Sequence, residues 1–321
     1  MSETEILVET PLGEASRLSA KADARTRRRD FLLGLPQPVL VLGSALAVAS
    51  AWVYDWIDPG LFSVIMTILP LPLCLVAERI WPKRKDWILT PRELAEDAFW
   101  VAAGAFLWAP LYTSYFSNPI SDAFKYWRDT IAIHWSLDPK SVIGLVLAAI
   151  LVRTLSEGIY YWLHRSQHES LFWWRIHATH HHITKMSAAR GDRTHPLEFL
   201  ALMLGTPIVL ALTGASPGVI AVAGGLGYWN AIFNHANLPL KSNKLYALLF
   251  ATAEQHHLHH SRDVAQSMTN YGCGIILWDR IFGTYSDATN IEAIGAGAGK
   301  PLPIWEQFRL AFVSKKKLTS Y

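Results

Sequence analysis

Four apolar runs, 37–57, 61–80, 98–116 and 141–163, each approach the roughly 20 residues a helix needs to cross a hydrocarbon core. Inside a bilayer every backbone N–H and C=O must find its partner within the protein, which leaves helices or a closed barrel, and runs of this length read as helices. Composition agrees, since 51% of the 321 residues are apolar and 14 are tryptophan. The fold class expected is all-α: a polytopic integral membrane helical protein. Two shorter runs, 197–212 and 219–233, flank the breaker-rich turn Thr213-Gly214-Ala215-Ser216-Pro217-Gly218 and read as a tight transmembrane hairpin or a re-entrant pair. Cys74 and Cys273 make no disulfide framework or paired zinc-ligand spacing, and a net charge of +3 argues against nucleic acid.

Orientation follows from Lys and Arg beside the spans. Arg25, Arg27, Arg28 and Arg29 precede the first run, which follows no cleavable signal; Asp58-Pro59-Gly60 after it carries no basic residue. Arg79, Lys83, Arg84, Lys85 and Arg92 follow the second. These connections alternate in, out, in, so the fourth run returns to the cytoplasm and delivers His164 there. The hairpin leaves and re-enters on that side, which brings His256 to His260 to the same face. Thr90-Pro91-Arg92-Glu93 has the form of a capping box that starts a helix leading into the third run.

The stretch "LHRSQHESLFWWRIHATHHH", residues 163–182, places six histidines at the end of the fourth run. Positions i, i+3 and i+4 share a helix face. His164 with His168, His177 with His180 and His181, and His256 with His259 and His260 all obey that rule. One tetrahedral zinc takes at most four ligands, so eight imidazoles suit two metal ions. Without metal, eight packed rings would be forced neutral and leave donors in need of partners. Imidazole serves iron, zinc, copper and nickel alike, and neither H-E-x-x-H nor the paired Glu-x-x-His motifs of soluble bundles occur. His134 stands outside every cluster and reads as structural. His257 also has i, i+3 spacing to His260, but His256 completes the pattern of the second box.

The chain resembles the membrane fatty acid hydroxylase and sterol desaturase superfamily, whose pattern is HRxxH, then HxxHH, then a later HxxHH. Here these are His164-Arg165-Ser166-Gln167-His168, His177-Ala178-Thr179-His180-His181 and His256-His257-Leu258-His259-His260, with "YYWLHRSQH", "RTHPLE", "NHANL" and "NYGCGIILWDRIFGTY" around them. The resemblance covers about 150–285. It departs at Ala253, where many relatives have proline, and in the added His182 and His257. It implies a non-haem centre of two iron ions, dioxygen as co-substrate, and a membrane lipid (fatty acyl, sterol or related isoprenoid) that is hydroxylated or desaturated at an unactivated C–H bond. The ligands it implies are His164, His168, His177, His180, His181, His256, His259 and His260, with His235 and His195 as further candidates. Glu157, Asp192 and Asn234 are candidates to orient ligand rings, Arg165 and Arg280 to bind headgroups or carboxylates.

On this reading residues 1–35 are a poorly ordered cytoplasmic tail and 36–140 the N-terminal transmembrane helices. Residues 141–285 are the catalytic region, a histidine-rich di-metal cap on the cytoplasmic side. Residues 286–321 are an interfacial tail in which Trp305, Phe308 and Phe312 with Lys315, Lys316 and Lys317 suggest a short helix on an anionic leaflet. "IGAGAGKPLP" reads as a flexible connector. Tyr160, Tyr161, Trp162, Trp173 and Trp174 read as an interfacial belt. No flavin, haem or nicotinamide fingerprint occurs, so electrons are expected from an external donor, a ferredoxin or small cytochrome with its reductase, steered by a basic rim at Lys185, Arg190 and Arg262. The rivals are a zinc-dependent membrane lipid hydrolase and a histidine-rich metal transporter; the latter expects polar residues at mid-span, whereas the clusters lie at helix ends.

Overall fold

The computed structural model describes residues 23–199 and 203–320, and among them the regular elements are all helical. Among the described residues three helices are long and apolar enough to cross a membrane: Asp23–Tyr54, Pro59–Ile80 and Val142–Glu169. Local chemistry sets their starts. Asp58 Oδ1 accepts the Leu61 N–H at 2.6 Å while Pro59 takes the first helical position, and Ser141 Oγ accepts the Gly144 N–H at 3.1 Å. On Val142–Glu169, Ile143, Leu147, Leu151 and Leu155 recur every fourth residue and stay exposed, while Leu145, Ala148, Ala149 and Val152 are buried. That exposed stripe suits hydrocarbon, not water. The buried face packs on the central helix Pro217–His235, which also packs on Pro36–Tyr54. Ala45, Ala49, Ala148, Ala149 and Ala223 lie in this core, and their small side chains let the backbones approach.

Three expectations change. Of the tail expected at 1–35, residues 1–22 lie outside the described residues, and the helix already begins at Asp23, in an Arg- and Ala-containing stretch of good helix formers. The run 98–116 is not among the long apolar helices. It sits in a helical stretch over 91–130 that opens with the expected capping box, Thr90 N–H to Glu93 at 2.9 Å and Glu93 N–H to Thr90 Oγ1 at 3.3 Å. Two π turns interrupt it, Gly104–Trp108 and Thr113–Ser117. Each precedes a proline, Pro110 or Pro119, whose ring crowds the carbonyl four residues back and brings no N–H, so the widened turn absorbs the misfit. In the short pair, the second arm extends to Pro217–His235, whereas the first is Gly205–Thr213, with residues 200–202 outside the described residues.

The C-terminal helix forms at Ile304–Arg309, but only part of it faces outward. Trp305 and Phe312 are exposed, whereas Phe308 stacks on Trp100 with centroids 4.6 Å apart. Leu302, Leu310, Val313 and Leu318 bury themselves with Ala178 and Trp174, so the segment straps the helix of the second histidine box. The connector before it is also held: Gly295, at φ 100, donates its N–H to the His260 carbonyl at 2.8 Å. A Cβ there would lie 2.2 Å from the Ile183 carbonyl oxygen, so a side chain has neither the space nor the backbone angle.

Candidate metal centre

His164 and His168 lie in the last turns of Val142–Glu169; Ser170, in extended backbone, turns the chain directly into Leu171–His181. The third box rides on Ala253–His259, begun by a Thr252–Gln255 capping box, and His235 ends Pro217–His235. Helical spacing then divides each HxxHH box between two clusters. His177 and His181, four apart, join His164, His168 and His259; His180, off that face, joins His235, His256 and His260. The third box divides the opposite way, its i, i+4 pair going to the second group and His259 to the first. Within each group the potential ligand atoms lie within 4.8 Å of one another, and the groups touch where the His181 and His260 rings stack at 4.4 Å.

The hydrogen bonds around these rings show what the groups can hold. His164 Nδ1 lies 2.5 Å from the Tyr271 carbonyl and His259 Nδ1 lies 2.8 Å from the Thr269 carbonyl. A carbonyl only accepts, so each Nδ1 carries the hydrogen and each Nε2 of the neutral ring presents a bare lone pair. Yet His164 Nε2 is 3.2 Å from His259 Nε2 and 2.9 Å from His177 Nε2. Facing lone pairs at such distances repel, and a cation among them converts the repulsion into ligation. His235 repeats the arrangement: Nδ1 donates to the Ala231 carbonyl at 2.9 Å, while Nε2 is 2.9 Å from His256 Nε2 and 3.3 Å from His180 Nε2. His168 Nε2 and His181 Nε2 are buried with no protein partner. Burial first, and neighbouring imidazoles second, push His177, His180, His181, His256, His259 and His260 well below the ordinary histidine range. Neutral rings with converging lone pairs are the donor set that metal ions require.

His195 lies in neither group. Its Nδ1 accepts the Leu197 N–H at 3.2 Å, and its ring packs between Phe308 and Phe312 of the C-terminal strap. His257 turns to Lys83, with 3.2 Å between Nδ1 and Nζ, and sets its ring against Trp87. Of the residues expected to orient ligands, Glu157 instead accepts the Gly274 N–H at 3.2 Å, and Asn234 donates to the Cys273 carbonyl at 2.6 Å, both steadying the loop before Ile275. The carboxylate that touches a ring in the groups is Glu198, 2.5 Å from His177 Nδ1, which sequence reasoning missed; the quoted "RTHPLE" contains it but gives no signal of its role. The expected aromatic belt also divides. Trp162 is exposed, but Tyr161 is fully buried and Trp174 sits 5.3 Å from the His168 ring. The basic rim is reduced to Arg262, because Arg190 is buried against Glu93 and Asp97, and Lys185 pairs with Glu93 at 2.8 Å. Arg165 pairs with Glu169 at 2.8 Å, and Arg280 donates to the Ala247 carbonyl.

A cavity of about 880 Å³ reaches His177, His180 and His235. Its other walls include Leu71 and Leu75 of Pro59–Ile80 and Gly104, Ala105 and Phe106 of the first π turn. The widened turn therefore helps shape the cavity.

Residues 146–284, which contain all three boxes, match the fatty acid hydroxylase family. This region is similar to a fatty acid hydroxylase domain. The chain is 28% identical over 218 residues to an ornithine lipid hydroxylase of Rhizobium tropici, covering 65% of this chain and 62% of that protein. It is 30% identical over 158 residues to a very-long-chain aldehyde decarbonylase of Arabidopsis thaliana, covering 46% of this chain and 24% of that one. It is 29% identical over 154 residues to the alkylglycerol monooxygenase of Homo sapiens, covering 48% of this chain and 33% of that one. The chain thus spans less than two thirds of each of these relatives. No solved structure matches it. The matched region holds both histidine groups and the three backbone carbonyls that fix their rings.

Proposed function

We propose that the chain is an oxygen-dependent membrane lipid hydroxylase or desaturase with two iron ions. His164, His168, His177, His181 and His259 hold one, and His180, His235, His256 and His260 the other. The convergence of unprotonated ring nitrogens carries this reading. The irons with dioxygen supply an oxidant for an unactivated C–H bond that no side chain can provide. The chain's own residues do the rest. Glu198 and the Tyr271, Thr269 and Ala231 carbonyls hold the protons on Nδ1 and so aim Nε2. The largely apolar cavity binds the lipid, excludes water and presents one carbon beside His177, His180 and His235. His195, bonded to Leu197 and packed on the strap, is left out of the ligand set.

Similarity to an ornithine lipid hydroxylase and to an alkylglycerol monooxygenase supports a lipid substrate. On this reading residues 36–140 supply membrane helices and 141–285 the catalytic region. The basic residues beside the spans support a centre on the cytoplasmic side, where a ferredoxin or small cytochrome would deliver electrons. The test uses purified protein in nanodiscs with iron analysis, then ferredoxin, its reductase and labelled dioxygen. Bound iron with a labelled oxygen atom or a two-hydrogen loss in lipid is expected. Zinc with lipid hydrolysis, metal flux into vesicles, or turnover under anaerobiosis overturns the proposal.

A further inference from the structure

We infer that the lipid carries an uncharged oxygen-bearing group, a hydroxyl or carbonyl, that binds at Arg153 and Ser156 inside the cavity. Both side chains belong to Val142–Glu169, both line the cavity, and polar groups in a spanning helix are costly unless they are satisfied. Part of this polar cluster has a structural task. Arg153 pairs with Glu157, and Glu157 holds the Gly274 N–H at 3.2 Å. That task leaves two atoms unexplained. Among the described residues neither Arg153 Nε nor Ser156 Oγ, both buried, has a protein partner, and Ser156 is only 3% exposed.

Glycines shape the place these groups occupy. A Cβ on Gly227 would lie 2.8 Å from Arg153 Cζ, and one on Gly274 would lie 2.7 Å from Glu157 Oε1. The guanidinium therefore fits only because its neighbours have no side chain. An oxygen of the lipid would accept from Arg153 Nε–H and from the Ser156 hydroxyl, satisfying both; a pure hydrocarbon would leave both unpaired. Glu157 already neutralises the guanidinium, so a carboxylate or phosphate would meet a carboxylate as well as an arginine. An uncharged oxygen avoids that conflict. Eight residues separate Ser156 from His164, about 12 Å of helix rise. The oxygen is thus held well away from the carbon presented to the histidines.

This inference rests on the cavity being the lipid site, and its test needs neither metal nor turnover. Metal-free protein in nanodiscs is assayed for equilibrium binding of radiolabelled hexadecan-1-ol, hexadecane and hexadecanoate, against protein-free nanodiscs. Hexadecan-1-ol is expected to bind about tenfold tighter than hexadecane and tighter than hexadecanoate. Ser156→Ala lowers hexadecanol affinity about three- to tenfold and leaves hexadecane unchanged. Arg153→Leu combined with Glu157→Gln, which leaves no unpaired charge, removes the preference. The inference is overturned if alcohol and alkane bind alike, if hexadecanoate binds best, if none of the three binds, or if the preference survives in both variants. Failure here with intact iron-dependent turnover refutes this inference alone, whereas absence of iron refutes the proposed activity and leaves the binding result standing.

Discussion

The two histidine groups come from near-identical boxes but are held with unequal firmness. In the first, three outer nitrogens are anchored: His164 to the Tyr271 carbonyl, His177 to Glu198 and His259 to the Thr269 carbonyl. In the second, His235 is anchored to the Ala231 carbonyl, while Nδ1 of both His256 and His260 is buried with no protein partner. The second group also supplies two of the three histidines that line the cavity. Anchored rings are preorganised for a metal, whereas unanchored ones can reorient as its coordination changes. On the proposed reading the first group is therefore the tighter, more fixed site, and the second presents more of its rings to the cavity.

The largest effect is expected at the centre of the firm group. His164 Nε2 stands between His177 and His259, so His164→Ala removes the hub of that cluster. We expect lipid oxidation to be lost and iron content to fall by about half, because the second group keeps all its ligands. His260→Ala should also halve iron, from the other side. Iron analysis of both variants breaks the comparison if either one empties both groups.

Acid should act on both groups together. The six rings named above resist protonation in the folded chain, whereas in the unfolded chain they accept protons near pH 6.5. Below that pH the unfolded state binds more protons, so this contribution to stability is complete above about pH 6.5 and falls as pH drops toward the depressed folded values. Each ring contributes at most about 1.4 kcal/mol per pH unit in that window. Thermal melts of metal-free protein between pH 7.5 and 5.5 should show a falling Tm, and iron-loaded protein a smaller fall. A flat metal-free curve would mean that the rings are not held neutral.

Glu198→Gln addresses the difference itself. It weakens the anchor of His177 and touches nothing in the second group, so iron affinity of the first group should drop about 10- to 100-fold. That corresponds to about 1.4 to 2.7 kcal/mol. Chelator titration should be biphasic in the parent, with the second group emptying first, and should approach a single phase in the variant. A variant that stays biphasic with the parent's spacing shows that anchoring does not set the difference.

Much of this was legible in the residues, because period and spacing are written in side chains. The long apolar runs announced all three spans, and i, i+3, i+4 spacing brought eight histidines together. The division into two groups also follows from helical angle once the boxes are seen to be helical. The anchors were not legible. Three of the four ring acceptors are backbone carbonyls, at Tyr271, Thr269 and Ala231, and any residue type supplies a carbonyl. The π turns within the run 98–116 were not legible, because hydropathy does not register the misfit that Pro110 and Pro119 impose. Arg190 misled because only tertiary packing brings Asp97 and Glu93 to it.

The smallest effect is expected at His257, and it tests the register of the whole third box. His257 lies in the HHLHH run directly after His256, yet its Nδ1 is 3.2 Å from Lys83 Nζ and its ring meets Trp87 at 5.9 Å. On a helix one residue turns the side chain by about 100°, so His256 and His257 cannot serve the same cluster. His257→Gln keeps an acceptor for Lys83, and we expect unchanged iron, activity within about threefold, and a stability loss of about 1 kcal/mol from one weakened hydrogen bond. His256→Gln, one residue away, should instead empty the second group, because His256 Nε2 contacts both His235 and His260. If the two variants exchange these behaviours, the third box presents His257 and not His256, and the second group loses the i, i+4 pair that defines it.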